Sequence, residues 1–142
     1  MADLKALIDG LNEDLAAEYQ AVIMYRTFAS LVTGPWRMDL RPFFENEIPD
    51  ELGHAAFLAD KIVALGGIPT TQAQPVPIPR DNRQMLEIAL QAEIDTMERY
   101  SRRIQQAEEA GEISIKLQLE NLLVDESKHR DDIRRMLEGW KE

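Results

Sequence analysis

The chain has 142 residues, no cysteine, two histidines and 26 acidic against 16 basic side chains, a formal net charge of −10. That length suits one domain with its own core, and the lack of cysteine excludes disulfides and thiolate metal sites. The acid excess argues against a nucleic-acid partner, because phosphate binding rests on clustered Lys and Arg.

Glycine and proline cluster at Gly34-Pro35, from Gly66 through Pro79, and at Gly111, which divides the chain into four segments of helical periodicity. The first helix is predicted from about Asp3, read as its N-cap, to Val32. The second runs from about Asp39 to Leu65 and stops at Gly66-Gly67, with a kink predicted at Pro49. The stretch Gly66 to Arg80 is Pro-rich and extended. At ~3.1 Å per residue it can run the full length of a bundle. It is read as a crossover that makes the second and third helices parallel. The alternative, a linker between independent halves, would leave each half's apolar faces uncovered. The third helix starts near Asp81 and reaches Glu109, and the fourth follows the turn at Gly111 and continues almost to the end.

The predicted fold is all-α: an up-down-down-up four-helix bundle over residues 1–142, with short links inside each hairpin and one long crossover between hairpins. No apolar run approaches the ~18 residues that span a bilayer. The N-terminal MADLKALIDGLNEDL carries acids within its apolar pattern, unlike a signal peptide. The expected compartment is the cytoplasm, with no membrane partner.

Positions seven apart return to nearly the same helical face. The resulting stripes are Leu4, Leu11, Glu18, Tyr25, Val32; Phe44, Glu51, Leu58, Leu65; Leu86, Glu93, Tyr100, Ala107; and Leu119, Glu126, Ile133, Trp140. Each places one glutamate among apolar or aromatic neighbours, where an unpaired ion costs at least several kcal/mol. Both histidines complete the pattern, as Asp50-Glu51-x-x-His54 and Asp125-Glu126-x-x-His129. Glu18 and Glu51 lie 33 residues apart, as do Glu93 and Glu126, so the halves read as copies of one helical hairpin. The i, i+3 spacing sets Glu and His side by side. Four such faces converge four carboxylates and two imidazoles on one interior point. That sulfur-free, carboxylate-rich set suits paired divalent ions of the iron or manganese type, with zinc able to occupy it in a purified sample.

Glu18, Glu51 with His54, Glu93, and Glu126 with His129 resemble, one for one and in helix order, the di-iron ligands of the ferritin-like superfamily, and the layout is most similar to the bacterioferritins. The resemblance implies two iron ions held by these six residues, which would also carry the chemistry: ferroxidase-type oxidation of Fe(II) by O2 or H2O2, serving iron homeostasis or protection from oxidative stress. It further implies antiparallel pairing into a homodimer, with Trp36 or Leu52 in the contact. Leu52 stands where the family's haem-ligating methionine follows the first motif glutamate, so no haem is expected. No fifth helix follows the bundle before Glu142, which argues against a closed storage cage. The alternative function is a non-catalytic metal-binding bundle that sequesters iron or serves a larger assembly.

Tyr25 and Tyr100 lie on the ligand stripes and are expected beside the carboxylates, as hydrogen-bond donors or electron sources, or as plain core aromatics. Asp50 and Asp125 either orient an imidazole on a neighbouring helix or are surface charges. Glu45 and Glu47 read first as a solvated acidic face and second as an access route for Fe(II). Met24, Met85, Met97 and Met136 are read as core filler.

Overall fold

The four periodic segments become four long helices, α1 (Ala2–Leu31), α2 (Arg37–Ala64), α3 (Asn82–Glu109) and α4 (Ile113–Glu138), in a computed structural model that describes residues 2–141. Helix starts differ slightly from expectation. Helix α1 already begins at Ala2, so Asp3 sits in its first turn, where its charge complements the helix dipole, and is not its N-cap. A single 3-10 turn, Gly34–Trp36, leads straight into α2 two residues before the expected start. Asp81 caps α3, its carboxylate accepting a hydrogen bond from the Gln84 amide at 2.8 Å.

Helix ends follow from glycine. Gly66 and Gly111 adopt φ of 93° and 76°, the left-handed region that residues with a Cβ rarely enter. The amides at and after each glycine then turn back onto the helix: Gly66 to Val63 and Gly67 to Ile62 after α2, Gly111 to Glu108 and Glu112 to Ala107 after α3. Pro49 does not end α2, which continues through both Pro42 and Pro49; Pro49 is exposed on the outer face.

Core composition gives the topology. One apolar cluster gathers Leu7 and Leu11 of α1, Leu58 and Ile62 of α2, Tyr100 and Ala107 of α3, and Ile115 and Leu119 of α4. The other gathers Tyr25 and Phe28, Leu40 and Phe44, Met85 and Leu86, and Ile133. The start of α1 therefore meets the ends of α2 and α3 and the start of α4, so α2 and α3 run parallel and the order is up-down-down-up. Each fully buried Leu or Phe in these clusters contributes about 1.5–3 kcal/mol. Met24 and Met85 are buried in the core as expected, while Met97 and Met136 are half-buried.

The crossover is tied to α1 from Ile68 to Pro75. Asn12 bonds the Ile68 carbonyl and the Thr70 amide, the Gln74 amide bonds the Ala16 carbonyl, and Gln20 bonds the Pro75 carbonyl. Asn82 then exchanges two hydrogen bonds with the Thr33 backbone, at 3.1 and 2.8 Å, which ties the start of α3 to the end of α1. No helix among the described residues is long and apolar enough to cross a membrane.

Candidate metal centre

Between the two apolar clusters lies a polar layer. Glu18, Glu51, Glu93 and Glu126 are each no more than 2% exposed, and His54 and His129 are 4% and 8% exposed. The structure brings all six predicted site residues together, one or more from every helix. Their ligand atoms fall into two groups: Glu18, Glu51, His54 and Glu126, and Glu47, Glu51, Glu93 and His129. Glu51 belongs to both. Its Oε2 lies 3.9 Å from His54 Nδ1 and its Oε1 3.5 Å from His129 Nδ1. Glu126 Oε1 also reaches both rings, at 3.0 and 3.9 Å. Two carboxylates thus lie between the halves, with Glu18 at one flank and Glu93 at the other.

Glu47 corrects the reading of a solvated acidic face. It is 8% exposed, and its Oε2 approaches His129 Nδ1 to 2.9 Å. Its neighbour Glu45 does lie outside, paired with Arg26 and Arg41 at 3.4 Å. The signal was present: Glu47 precedes Glu51 by four residues and so shares its helical face.

The imidazoles are held from behind. His54 Nε2 lies 3.4 Å from Asp125 Oδ2, and His129 Nε2 lies 3.2 Å from Asp50 Oδ2. Each aspartate of one Asp-Glu-x-x-His motif therefore supports the histidine of the other motif. A carboxylate on Nε2 fixes ring orientation and leaves Nδ1 facing the centre. The tyrosines are equally placed: Tyr25 donates to Glu93 Oε1 at 2.5 Å, and Tyr100 donates to Glu18 Oε1. Burial, and next the charges of Glu93 and Glu18 respectively, push both phenols well above their ordinary range, so they remain donors.

Charge balance shows what this layer lacks. His54 Nδ1, His129 Nδ1 and one oxygen each of Glu18, Glu47, Glu51, Glu93 and Glu126 are buried without a hydrogen-bond partner. Short approaches such as His129 to Glu47 do not have hydrogen-bond geometry, so these atoms lie close together without satisfying one another. A cation between them resolves the conflict. Without one, the protein compensates with protons. Burial, then the Glu18 charge, raises Glu51 well above the ordinary carboxyl value; burial, then contact with Glu93, does the same to Glu126. Burial would lower His54, but the close Glu126 and Glu18 carboxylates outweigh it and raise the imidazole to about 10. His129 is raised in the same way by Glu47, Glu51 and Glu93 against its burial. Burial also pushes Glu18 up, yet contacts with Glu51 and His54 bring it below the ordinary value. Seven buried donors of oxygen and nitrogen, each with an orphaned atom, fit paired iron or manganese ions better than a single tetrahedral zinc.

The duplication is visible in space. Glu18 and Glu93, Tyr25 and Tyr100, Asp50 and Asp125, Glu51 and Glu126, and His54 and His129 are all separated by 75 residues. Glu47 breaks the symmetry, its counterpart being Leu122.

Known proteins show the same architecture. The family described as Ferritin-like domain matches residues 8–142. A bacterioferritin of Streptomyces coelicolor is 29% identical over 133 residues, spanning 93% of this chain and 80% of the relative. A bacterioferritin of Mycobacterium tuberculosis is 28% identical over 129 residues, spanning 90% and 81%. The crystal structure of a ferritin-like, diiron-carboxylate protein of Bacillus anthracis strain Ames superposes with a TM-score of 0.95 at 47% identity, over 96% of this chain and 99% of that one. A Dps protein of Bacillus brevis, 18% identical with a TM-score of 0.91, shares the fold over 96% of this chain and 98% of its own. With nearly its whole length matched and its polar layer in the middle of that shared bundle, the chain belongs to the ferritin-like family, close to the bacterioferritins.

Proposed function

We propose that this layer is a di-iron centre and that the chain, acting as one domain over residues 1–142, is a ferroxidase-type oxidoreductase for Fe(II) with O2 or H2O2 as oxidant. The carrying observation is the set of orphaned atoms on Glu18, Glu47, Glu51, His54, Glu93, Glu126 and His129. Two iron ions, when bound there, would supply two electrons to one oxidant. The chain's own residues do the rest. Glu51 and Glu126, each near both imidazoles, would hold the ions together with Glu18 and His54 in one half and Glu47, Glu93 and His129 in the other. Asp125 and Asp50 hold the Nε2 protons, so Nδ1 stays turned inward. Tyr25 and Tyr100 hold Glu93 and Glu18 at fixed rotamers by donating to one oxygen of each.

Haem has no place in this reading, since Leu52 carries no ligand atom. The similarity to bacterioferritins and the exposed side chains of Ile23 and Leu31 on α1 and Leu52 on α2 support an antiparallel homodimer, with a closed cage not proposed. A cytoplasmic role in iron homeostasis or oxidative-stress protection follows from the same activity. The test compares Fe(II) oxidation by the wild type and by the double variant Glu18→Gln/Glu93→Gln. Oxidation above the rate of free iron in the wild type, lost in the variant, is expected. A wild type no faster than free iron would leave a sequestering bundle as the function.

A further inference from the structure

A second buried charge cluster sits one helical turn from the centre. Asp14 and Arg103 are 1% and 3% exposed and form a bidentate pair across α1 and α3, with Nε to Oδ2 at 2.8 Å and Nη2 to Oδ1 at 3.1 Å. Gln106 takes Arg103 Nη1 at 2.6 Å, and Arg99 adds a contact to Asp14 at 3.9 Å. The guanidinium lies directly on the α1 backbone at Gly10, where a Cβ would fall 1.9 Å from Nη1. A glycine inside a helix is unfavourable unless something must approach closely, and here that is the arginine.

The placement links this pair to the centre. Asp14 precedes Glu18 by four residues on α1, and Arg103 follows Tyr100 by three on α3, while Tyr100 itself donates to Glu18. Two adjacent rungs, Asp14–Arg103 and Glu18–Tyr100, therefore join the same two helices. In the other half the positions 75 residues away from Asp14 and Arg103 are Ala89 and Phe28, and those of Gly10 and Arg99 are Met85 and Met24, all buried and apolar. The turn next to the equivalent Tyr25–Glu93 bond is thus packed by apolar side chains, and the polar tie between α1 and α3 in that half, Asn82 with Thr33, lies farther off at the end of the bundle. Apolar packing tolerates small slides that a bidentate ion pair does not.

We propose that Asp14 and Arg103 are positioning residues that lock the register of α1 against α3, so that the Glu18–His54 half of the centre is pre-organised while the Glu93–His129 half is adjustable. This rests on the di-iron reading above. The chain's two histidines, one in each half, serve as separate reporters. Zn(II), a diamagnetic probe, is titrated into the metal-free protein while the imidazole NMR signals of His54 and His129 are followed. The double variant Asp14→Leu/Arg103→Met removes both charges together and so avoids stranding one of them. Its expected signature is a shift of the His54 midpoint to about tenfold higher zinc, the scale of a lost support for a ligand, with the His129 midpoint unchanged. The milder Arg103→Lys keeps the charge but not the fork and is expected to shift His54 alone, by less. Unchanged midpoints, or equal shifts at both histidines, overturn the proposal. If the double variant does not fold, Arg103→Lys decides by the same criterion. A wild type whose histidines both ignore zinc overturns the metal centre itself.

Discussion

The substitution Glu51→Gln tests whether the metal-free centre is held at the expense of stability. Glu51 is 1% exposed, and burial together with the Glu18 charge raises its carboxyl well above the ordinary 4.5. Its folded form therefore binds a proton that the unfolded chain releases above pH 4.5. For such a group the destabilisation is absent below the unfolded value and grows by about 1.4 kcal/mol for each pH unit above it, until the folded value is reached. The cost is therefore small at pH 5, just above the unfolded value, and rises through the pH range above it. Glutamine has the shape and donor of the protonated acid but needs no proton. In urea unfolding of metal-free protein, Glu51→Gln is expected to exceed the wild type by little at pH 5 and by a margin that widens toward pH 7, at a slope of up to about 1.4 kcal/mol per pH unit. Metal reverses the order, because the ligand must be deprotonated. At a hundredfold excess over Kd, each bound ion stabilises the wild type by about 2.7 kcal/mol, and the variant gains little. A variant less stable than the metal-free wild type, or a difference flat between pH 5 and 7, would refute this reasoning.

Other consequences can be checked separately. Tyr100→Phe leaves the Glu18 oxygen without its buried donor and should cost about 1–3 kcal/mol in denaturant unfolding. Asp125→Asn weakens the support of His54 and should lower zinc affinity about 10- to 100-fold by calorimetry. Glu47→Gln should weaken binding only in the half that contains His129, read from the His129 NMR signal while that of His54 keeps its midpoint.

Much of this molecule was legible in its sequence because the ligand pattern and the helix pattern share one period. A glutamate on an apolar stripe contradicts the stripe unless it has a partner, and His54 and His129, three residues after two of these glutamates, named the partner. The Gly-Pro clusters likewise marked the helix ends to within a residue or two, since left-handed φ at Gly66 and Gly111 is a local requirement. Glu47 was obscured by Glu45: in an acid-rich run only one of two acids two apart can face inward, and the duplicated hairpin offered Leu122 as a misleading counterpart. The Asp14–Arg103 pair joins residues 89 apart in sequence. Its only local trace is Gly10, a helix-interior glycine whose reason appears when α3 is laid against it.

The central claim is that the buried layer holds paired iron, and an anaerobic Fe(II) titration of the metal-free protein, followed by admission of air, tests it most directly. Saturation at about two ions per chain, with an absorbance change on oxygenation, is the predicted result. Saturation at one ion or none, or no optical change in air, would contradict it.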